Sequence, residues 1–158
     1  MHRRRAERVA ALIFAALILV VDQLSKAAIT GTMLPAESIP VLPGIFHVTY
    51  VQNYGAAFGI LAHQRWFFVL AGLFLIAVFL HYYPRLRSSS PWLHYGCIAM
   101  LAGAVGNMID RVQLGYVVDF FDFRIWPVFN VADIAIVGGV GSMIYAIMFR
   151  MKEADETK

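Results

Sequence analysis

The sequence predicts an α-helical integral membrane protein with four transmembrane helices and a small extracytoplasmic β-sheet, and three observations predict it. First, 60% of the 158 residues are hydrophobic and only 15% are charged, whereas a soluble domain is about 45–50% apolar. Second, four stretches are apolar over the length a bilayer crossing needs, roughly 20 residues at about 1.5 Å each. Third, two segments between those stretches alternate in side-chain character, which is the period of a strand. The mean hydropathy of +0.67 agrees with the first observation. One membrane domain covering residues 1–158 is expected, with no repeat and no low-complexity tract.

The spans are expected at 9–28, 66–83, 92–111 and 131–149. The first follows a run of arginines and so also has the basic-then-apolar form of a secretory signal. No small-residue cleavage site follows closely and three more spans come later, so it is read as an uncleaved helix. With the N-terminus in the cytoplasm, the inner segments hold Arg3, Arg4, Arg5, Arg8, Arg85, Arg87, Arg150, Lys152 and Lys158. Only Lys26, Arg65, Arg111 and Arg124 remain outside, so the positive-inside rule places both termini in the cytoplasm. The net charge of +3 then reports topology, and nothing resembles the basic stripe of a nucleic-acid surface.

The inner connection PRLRSSSP, residues 84–91, reads as a short polar turn, whereas the outer loops 29–65 and 112–130 are long and amphipathic. Within them, 45–52 places Phe46, Val48 and Tyr50 on one strand face. Residues 116–124 place Asp119 with Val117, Phe121 and Phe123 on one face, and Asp122 with Val118, Phe120 and Arg124 on the other. Paired at the membrane surface, two such strands satisfy their own backbone groups and offer aromatics to the headgroup region.

The polar residues of the spans converge. Asp22, Gln23, Ser25 and Lys26 end the first span; Asn107, Asp110 and Arg111 end the third; Asn130 and Asp133 begin the fourth. All reach the same depth near the outer face. A charge within the bilayer costs at least about 2.5–3.5 kcal/mol at a helix centre and is tolerated where it is paired or faces a cavity. A shared polar pocket is therefore expected there. Gly103, Asn107 and Asp110 or Arg111 are spaced to share one helical face, and Asp22 and Lys26 form an i, i+4 pair. The plainer alternative is that each caps a helix end at the headgroup boundary.

Several chemistries find no support. Cys97 lies mid-span, which leaves no disulfide or cysteine metal site within one chain and reads as a small packing residue. No HExxH occurs, His47, His63, His81 and His94 are scattered, and no serine sits in a nucleophile turn. No cofactor and no metal are expected. Carboxylates are what remains: Asp22, Asp110, Asp119, Asp122 and Asp133. Two carboxylates sharing one proton can activate a water and protonate a leaving amine. A transporter is the rival class, but its polar residues would spread through the membrane depth, and here the middle of each span is apolar.

Five ordered blocks, DQLSK (22–26), NYGAAFG (53–59), GNMIDR (106–111), VVDF (117–120) and FNVAD (129–133), resemble the signature blocks of the lipoprotein signal peptidase, or signal peptidase II, family. The resemblance spans nearly the whole chain, although the segment between Asp119 and Asp133 is shorter than in many members. It implies a four-helix aspartyl protease of the bacterial inner membrane, active near the outer face, that cuts prolipoproteins before a diacylglyceryl-modified cysteine. It also implies that Asp119 and Asp133 are the catalytic pair, and that Asp22, Lys26, Asn53, Gly55, Gly103, Asn107, Asp110, Arg111 and Asn130 bind substrate or support the site. The partners expected are diacylglyceryl prolipoproteins and membrane lipids, with no nucleic acid and a monomeric enzyme.

Asp133 opens the fourth helix, where free N–H groups and the dipole favour a charged carboxylate, so it is expected to be the ionised partner and Asp119 the proton holder. Asn130 is placed to cap that helix. Arg111 is expected either to pair with Asp110 or to bind a lipid phosphate. Gly55, Ala56, Ala57 and Gly59 suit close approach of a backbone, or plain turn chemistry. Gly138, Gly139, Gly141 and Ser142 suit close helix packing.

Overall fold

Long apolar runs form helices here because only a helix satisfies every backbone group within its own segment. The computed structural model describes residues 2–55 and 61–150. Four helices, α1 (His2–Thr32), α2 (Arg65–Ser89), α3 (Pro91–Gln113) and α4 (Val131–Tyr145), make up most of the protein. A π-helical turn, Ala146–Arg150, continues α4. All four are long and apolar enough to cross a membrane. The exposed surfaces of α1, α2 and α4 carry Leu12, Leu17, Phe67, Leu70, Phe74, Val137 and Ile144, as surfaces facing lipid do.

The ends of the helices differ from the expected spans. Helix α1 runs to Thr32, beyond Ala28, and in its last turns the hydroxyls of Thr30 and Thr32 donate to the carbonyls of Ala27 and Ala28. Residues 84–89 are not a turn: α2 continues through Pro84 to Ser89. The break falls at Ser90 alone, whose extended backbone ends α2 and precedes Pro91 at the start of α3, where a missing N–H costs nothing.

Helix α3 is the centre of the bundle, packed against α1, α2 and α4. Its glycines make this possible. A Cβ at Gly96 would lie 2.8 Å from the carbonyl oxygen of Gly139, and one at Gly103 would meet the backbone of Ala132 and Ile136 Cγ1 at 2.9 Å. Gly139 is equally confined, but Gly138 and Gly141 face open space and do not serve close packing.

The strands form one antiparallel sheet in the order β1 (Ser38–Leu42), β2 (Phe46–Asn53), β3 (Val117–Asp122). Strand β1 was not expected from the sequence: every residue in it is exposed and Pro40 interrupts it, so neither alternation nor continuity marks it. Strand β3 ends at Asp122, earlier than the alternation suggests, because Arg124 takes a positive φ of 65° and donates its N–H to Asp122 Oδ1. Met33 of α1, Tyr50 and Val118 pack together and seat the sheet on the end of α1. Val51 pairs with Asp119 and Asn53 with Val117, which brings the Asn53 side chain beside that aspartate.

Candidate active site

The polar ends of α1, α3 and α4 do meet, under β3. Asp119 is buried on β3, and both of its oxygens accept hydrogen bonds: Oδ1 from Asn130 Nδ2 at 2.7 Å and Oδ2 from Asn53 Nδ2 at 2.8 Å. Asp133 stands at the third residue of α4. Its Oδ1 accepts from Asn107 Nδ2 at 2.8 Å and its Oδ2 from the backbone N–H of Asn130 at 3.1 Å. Asn130 returns the contact, its Oδ1 accepting from the N–H of Asp133 at 3.0 Å, which completes a capping box. A single fully buried asparagine thus caps α4 and holds both carboxylates, one through its side chain and one through its backbone.

The pair opens onto a cleft of about 440 Å³ between the sheet and α2, α3 and α4. Asn53, Gly55, Asn107, Arg111, Asp119 and Asp133 supply its polar wall. Phe68, Leu75, Met108, Ile136 and Val137 supply an apolar one. Two larger apolar grooves lie elsewhere between the helices, one bordered by Phe14, Tyr95 and Gly138 and the other by Leu12, Phe79 and Val105, and neither reaches the carboxylates.

Asp22, Lys26, Asp110, Asn130 and Gly103 do not line the cleft but stand behind it. Lys26 Nζ lies 3.0 Å from Asp22 Oδ2, 2.9 Å from Asp110 Oδ2 and 2.9 Å from Asn107 Oδ1. Asp110 therefore pairs with Lys26 and not with Arg111. The guanidinium of Arg111 instead donates to the carbonyl of Gly55 at 2.8 Å and to that of Asn107 at 3.3 Å, and lies 4.4 Å over the Phe68 ring. Gly55 is held at its N–H as well, by Asn53 Oδ1 at 2.9 Å. The other residues singled out in that loop, Ala56, Ala57 and Gly59, lie outside the described residues.

Asp122 belongs to a different environment. It accepts from Thr49 Oγ1 at 2.8 Å and pairs with Arg124 at 2.8 Å, sharing no partner with Asp119. Burial alone would raise its pKa, but the hydrogen bonds from Thr49 and Arg124 outweigh that and hold it below the usual carboxylate range. Asp119 goes the other way. Burial, and then the charge of Asp133, push its carboxyl up to about 7 against the bonds from Asn53 and Asn130.

Two residues acquire their partners only in the structure. Gln23 Nε2 bridges Asp22 Oδ2 at 3.0 Å and Asp110 Oδ1 at 3.1 Å, a contact across helices that no spacing in the sequence announces. Gly106 lets the Asp22 carboxylate lie against α3, where a Cβ would sit 2.5 Å from Oδ2. Among the described residues no group of three or more His, Cys, Asp or Glu side chains is arranged to hold a metal ion.

Fold and site together define a membrane-embedded bundle of four helices whose cleft contains a linked carboxylate pair. Residues 14–149 match the family described as signal peptidase (SPase) II. A lipoprotein signal peptidase of Pelotomaculum thermopropionicum is 48% identical over 136 residues, 86% of this chain and 90% of that one. One of Moorella thermoacetica is 50% identical over 129 residues, 82% and 86% of the two chains. A bacterial membrane enzyme solved by the in meso method at 2.3 Å superposes with a TM-score of 0.85 at 31% identity, covering 94% of this chain and 92% of its own. The chain belongs to the signal peptidase II family of peptidases.

Proposed function

We propose that the protein is an intramembrane aspartyl endopeptidase that removes signal peptides from diacylglyceryl-modified prolipoproteins, cutting just before the lipidated cysteine. Prolipoproteins as substrates follow from the family and from relatives such as those of Pelotomaculum and Moorella. The observation that carries the aspartyl mechanism is Asn130, which ties Asp119 and Asp133 into one unit at a cleft bordered by membrane helices.

In this reading Asp119 holds the shared proton, its carboxyl being pushed up to about 7. Asp133 carries the charge, supported by the N–H groups at the start of α4. Asp133 takes a proton from water as the water oxygen bonds to the scissile carbonyl carbon, and Asp119 gives its proton to the carbonyl oxygen. Collapse of the tetrahedral intermediate breaks the C–N bond. The proton on Asp133 passes to the leaving cysteine amine, and Asp119 recovers one from a hydroxyl as the new carboxyl group forms. Asn53 and Asn107 hold the pair, Arg111 and Gly55 fix the loop beside it, and the apolar wall around Phe68 and Leu75 suits the acyl chains.

The enzyme is then a monomer of the bacterial cytoplasmic membrane, a single domain with both termini cytoplasmic and the cleft near the outer face. The late residues of α1 and α3 and the first residues of α4 all lie at the cleft or directly behind it, and the arginines Arg5, Arg8, Arg85 and Arg150 lie toward the other end of the helices. The test is cleavage of a diacylglyceryl prolipopeptide by purified protein with Asp119→Asn and Asp133→Asn beside the native chain, each with and without a chelator. Both variants are expected to be inactive at native levels of folded protein, and chelation to change nothing. Loss on chelation with recovery on added zinc would refute the mechanism.

A further inference from the structure

Lys26 does not border the cleft and is only 3% exposed, yet its ammonium is fully committed. It has three N–H donors and no acceptor, and three oxygens surround it: Asp22 Oδ2, Asp110 Oδ2 and Asn107 Oδ1. Each of these partners then holds a segment that carries one member of the carboxylate pair. Asp22 Oδ1 accepts from the N–H of Ala132 at 2.9 Å, one residue before Asp133. Asp110 Oδ2 accepts from the N–H of Val118 at 3.1 Å, one residue before Asp119. Asn107 donates from Nδ2 to Asp133 itself. Because an ammonium can only donate, Asn107 has to turn its carbonyl oxygen to Lys26 and its amide to Asp133. Turned the other way, it would set oxygen against carboxylate and amide against ammonium.

We propose that Lys26 is a positioning residue of the active site: through Asp22, Asp110 and Asn107 its ammonium sets the spacing and orientation of Asp119 and Asp133 without touching substrate. This rests on the reading of those two aspartates as the proteolytic pair. The arrangement also has an electrostatic consequence. Among the described residues, the charged groups that face the pair are Lys26 and Asp22 from α1 and Asp110 and Arg111 from α3; β2 offers the neutral Asn53, and the residues of α2 at the cleft, among them Phe68, Gly72 and Leu75, are uncharged. The Lys26 cation draws the Asp119 carboxyl down, so removing it lets Asp119 keep its proton to higher pH.

The experiment measures kcat, KM and the pH profile of prolipopeptide cleavage for the native enzyme, Asp119→Asn, Asp133→Asn, Lys26→Met and the double variant Lys26→Met with Asp22→Asn. The double variant keeps an oxygen for the Ala132 N–H and removes one of the two buried carboxylates that lose their counter-charge, which eases folding. Lys26→Met is expected to lower kcat about 10- to 100-fold, the usual effect of removing a partner that orients a reacting group. KM should stay within about twofold and the alkaline limb should move to higher pH. In the double variant kcat should remain low while the limb returns toward its native position. A kcat within about threefold of native in either folded variant, a large rise in KM, or an unmoved limb in Lys26→Met would overturn the proposal. Activity in Asp119→Asn or Asp133→Asn would instead refute the reading of the pair itself. If both are inactive while Lys26→Met behaves as native, only the positioning role fails.

Discussion

Asn130 performs two tasks that substitution can separate. Its oxygen caps α4 through the N–H of Asp133, and its amide donates to Asp119 at 2.7 Å and to Asn107 at 3.1 Å. Asn130→Ser keeps a capping oxygen and loses the amide, whereas Asn130→Ala loses both. A hydrogen bond to a charged or proton-sharing carboxyl is worth about 1.5–3 kcal/mol, and about 1.4 kcal/mol is a factor of ten in rate. Both variants should therefore lose roughly 10- to 150-fold in kcat/KM. The cap adds about 1 kcal/mol of stability that only the alanine variant forfeits. The assay is prolipopeptide cleavage alongside thermal unfolding in the same detergent. Both variants should unfold below the native midpoint, since each leaves the buried Asp119 oxygen without its donor, the alanine variant lower by about a further 1 kcal/mol for the lost cap, and both should be nearly equally slow. A serine variant with native turnover would show that the amide does not hold Asp119 in place and would remove the link on which the mechanism rests.

The raised carboxyl of Asp119 predicts that kcat/KM falls about tenfold per pH unit above roughly pH 7, as the pair loses its shared proton; a rate still rising at pH 8 would contradict this. The same shift fixes a sign for stability: the native carboxyl binds its proton more tightly than the unfolded one, so its contribution is complete below about pH 4 and is lost as pH rises to about 7. Gly103→Ala, which drives a Cβ into the Ala132 backbone, should cost about 1–3 kcal/mol and depress cleavage, whereas Gly138→Ala in open space should be neutral or stabilising by up to about 1 kcal/mol; thermal midpoints decide. Asp122→Asn should retain substantial turnover in the cleavage assay, because its partners Thr49 and Arg124 stand apart from the pair. Reporter fusions after Arg87 and Lys152 should score cytoplasmic and fusions near Ala36 and Gly115 external, and an external score at Arg87 would invert the topology.

The four helices were legible because apolar length is a property of each segment alone. Their ends were not: Pro84 reads locally as a breaker, but a proline in a membrane helix can be accommodated by its surroundings, and α2 runs past it. Strand β1 was hidden because its five exposed residues carry no alternation, and only pairing with β2 makes it a strand. At the site, Asn130 was legible as a cap because capping acts within four residues. The partner of Asp110 was not, because Lys26 lies on a different helix and Arg111 is the nearer cation in sequence. The same limit hid Gln23 and Gly106, whose roles exist only once α1 lies against α3.

The bond from the Ala132 N–H to Asp22 joins residues 110 apart in the chain. During synthesis the first helix enters the bilayer long before its last partner exists, and it must carry two opposite charges there alone. Asp22 and Lys26, one turn apart and 3.0 Å from each other, neutralise one another within that single helix, so the early segment does not depend on help that arrives later. The fourth helix, by contrast, caps the Asp133 N–H from its own Asn130 but satisfies the Ala132 N–H only against the oldest part of the chain. Asp133 is carried on that same last helix, so Asp119 and Asp133 come to share Asn130 only once α4 has docked against the rest of the bundle.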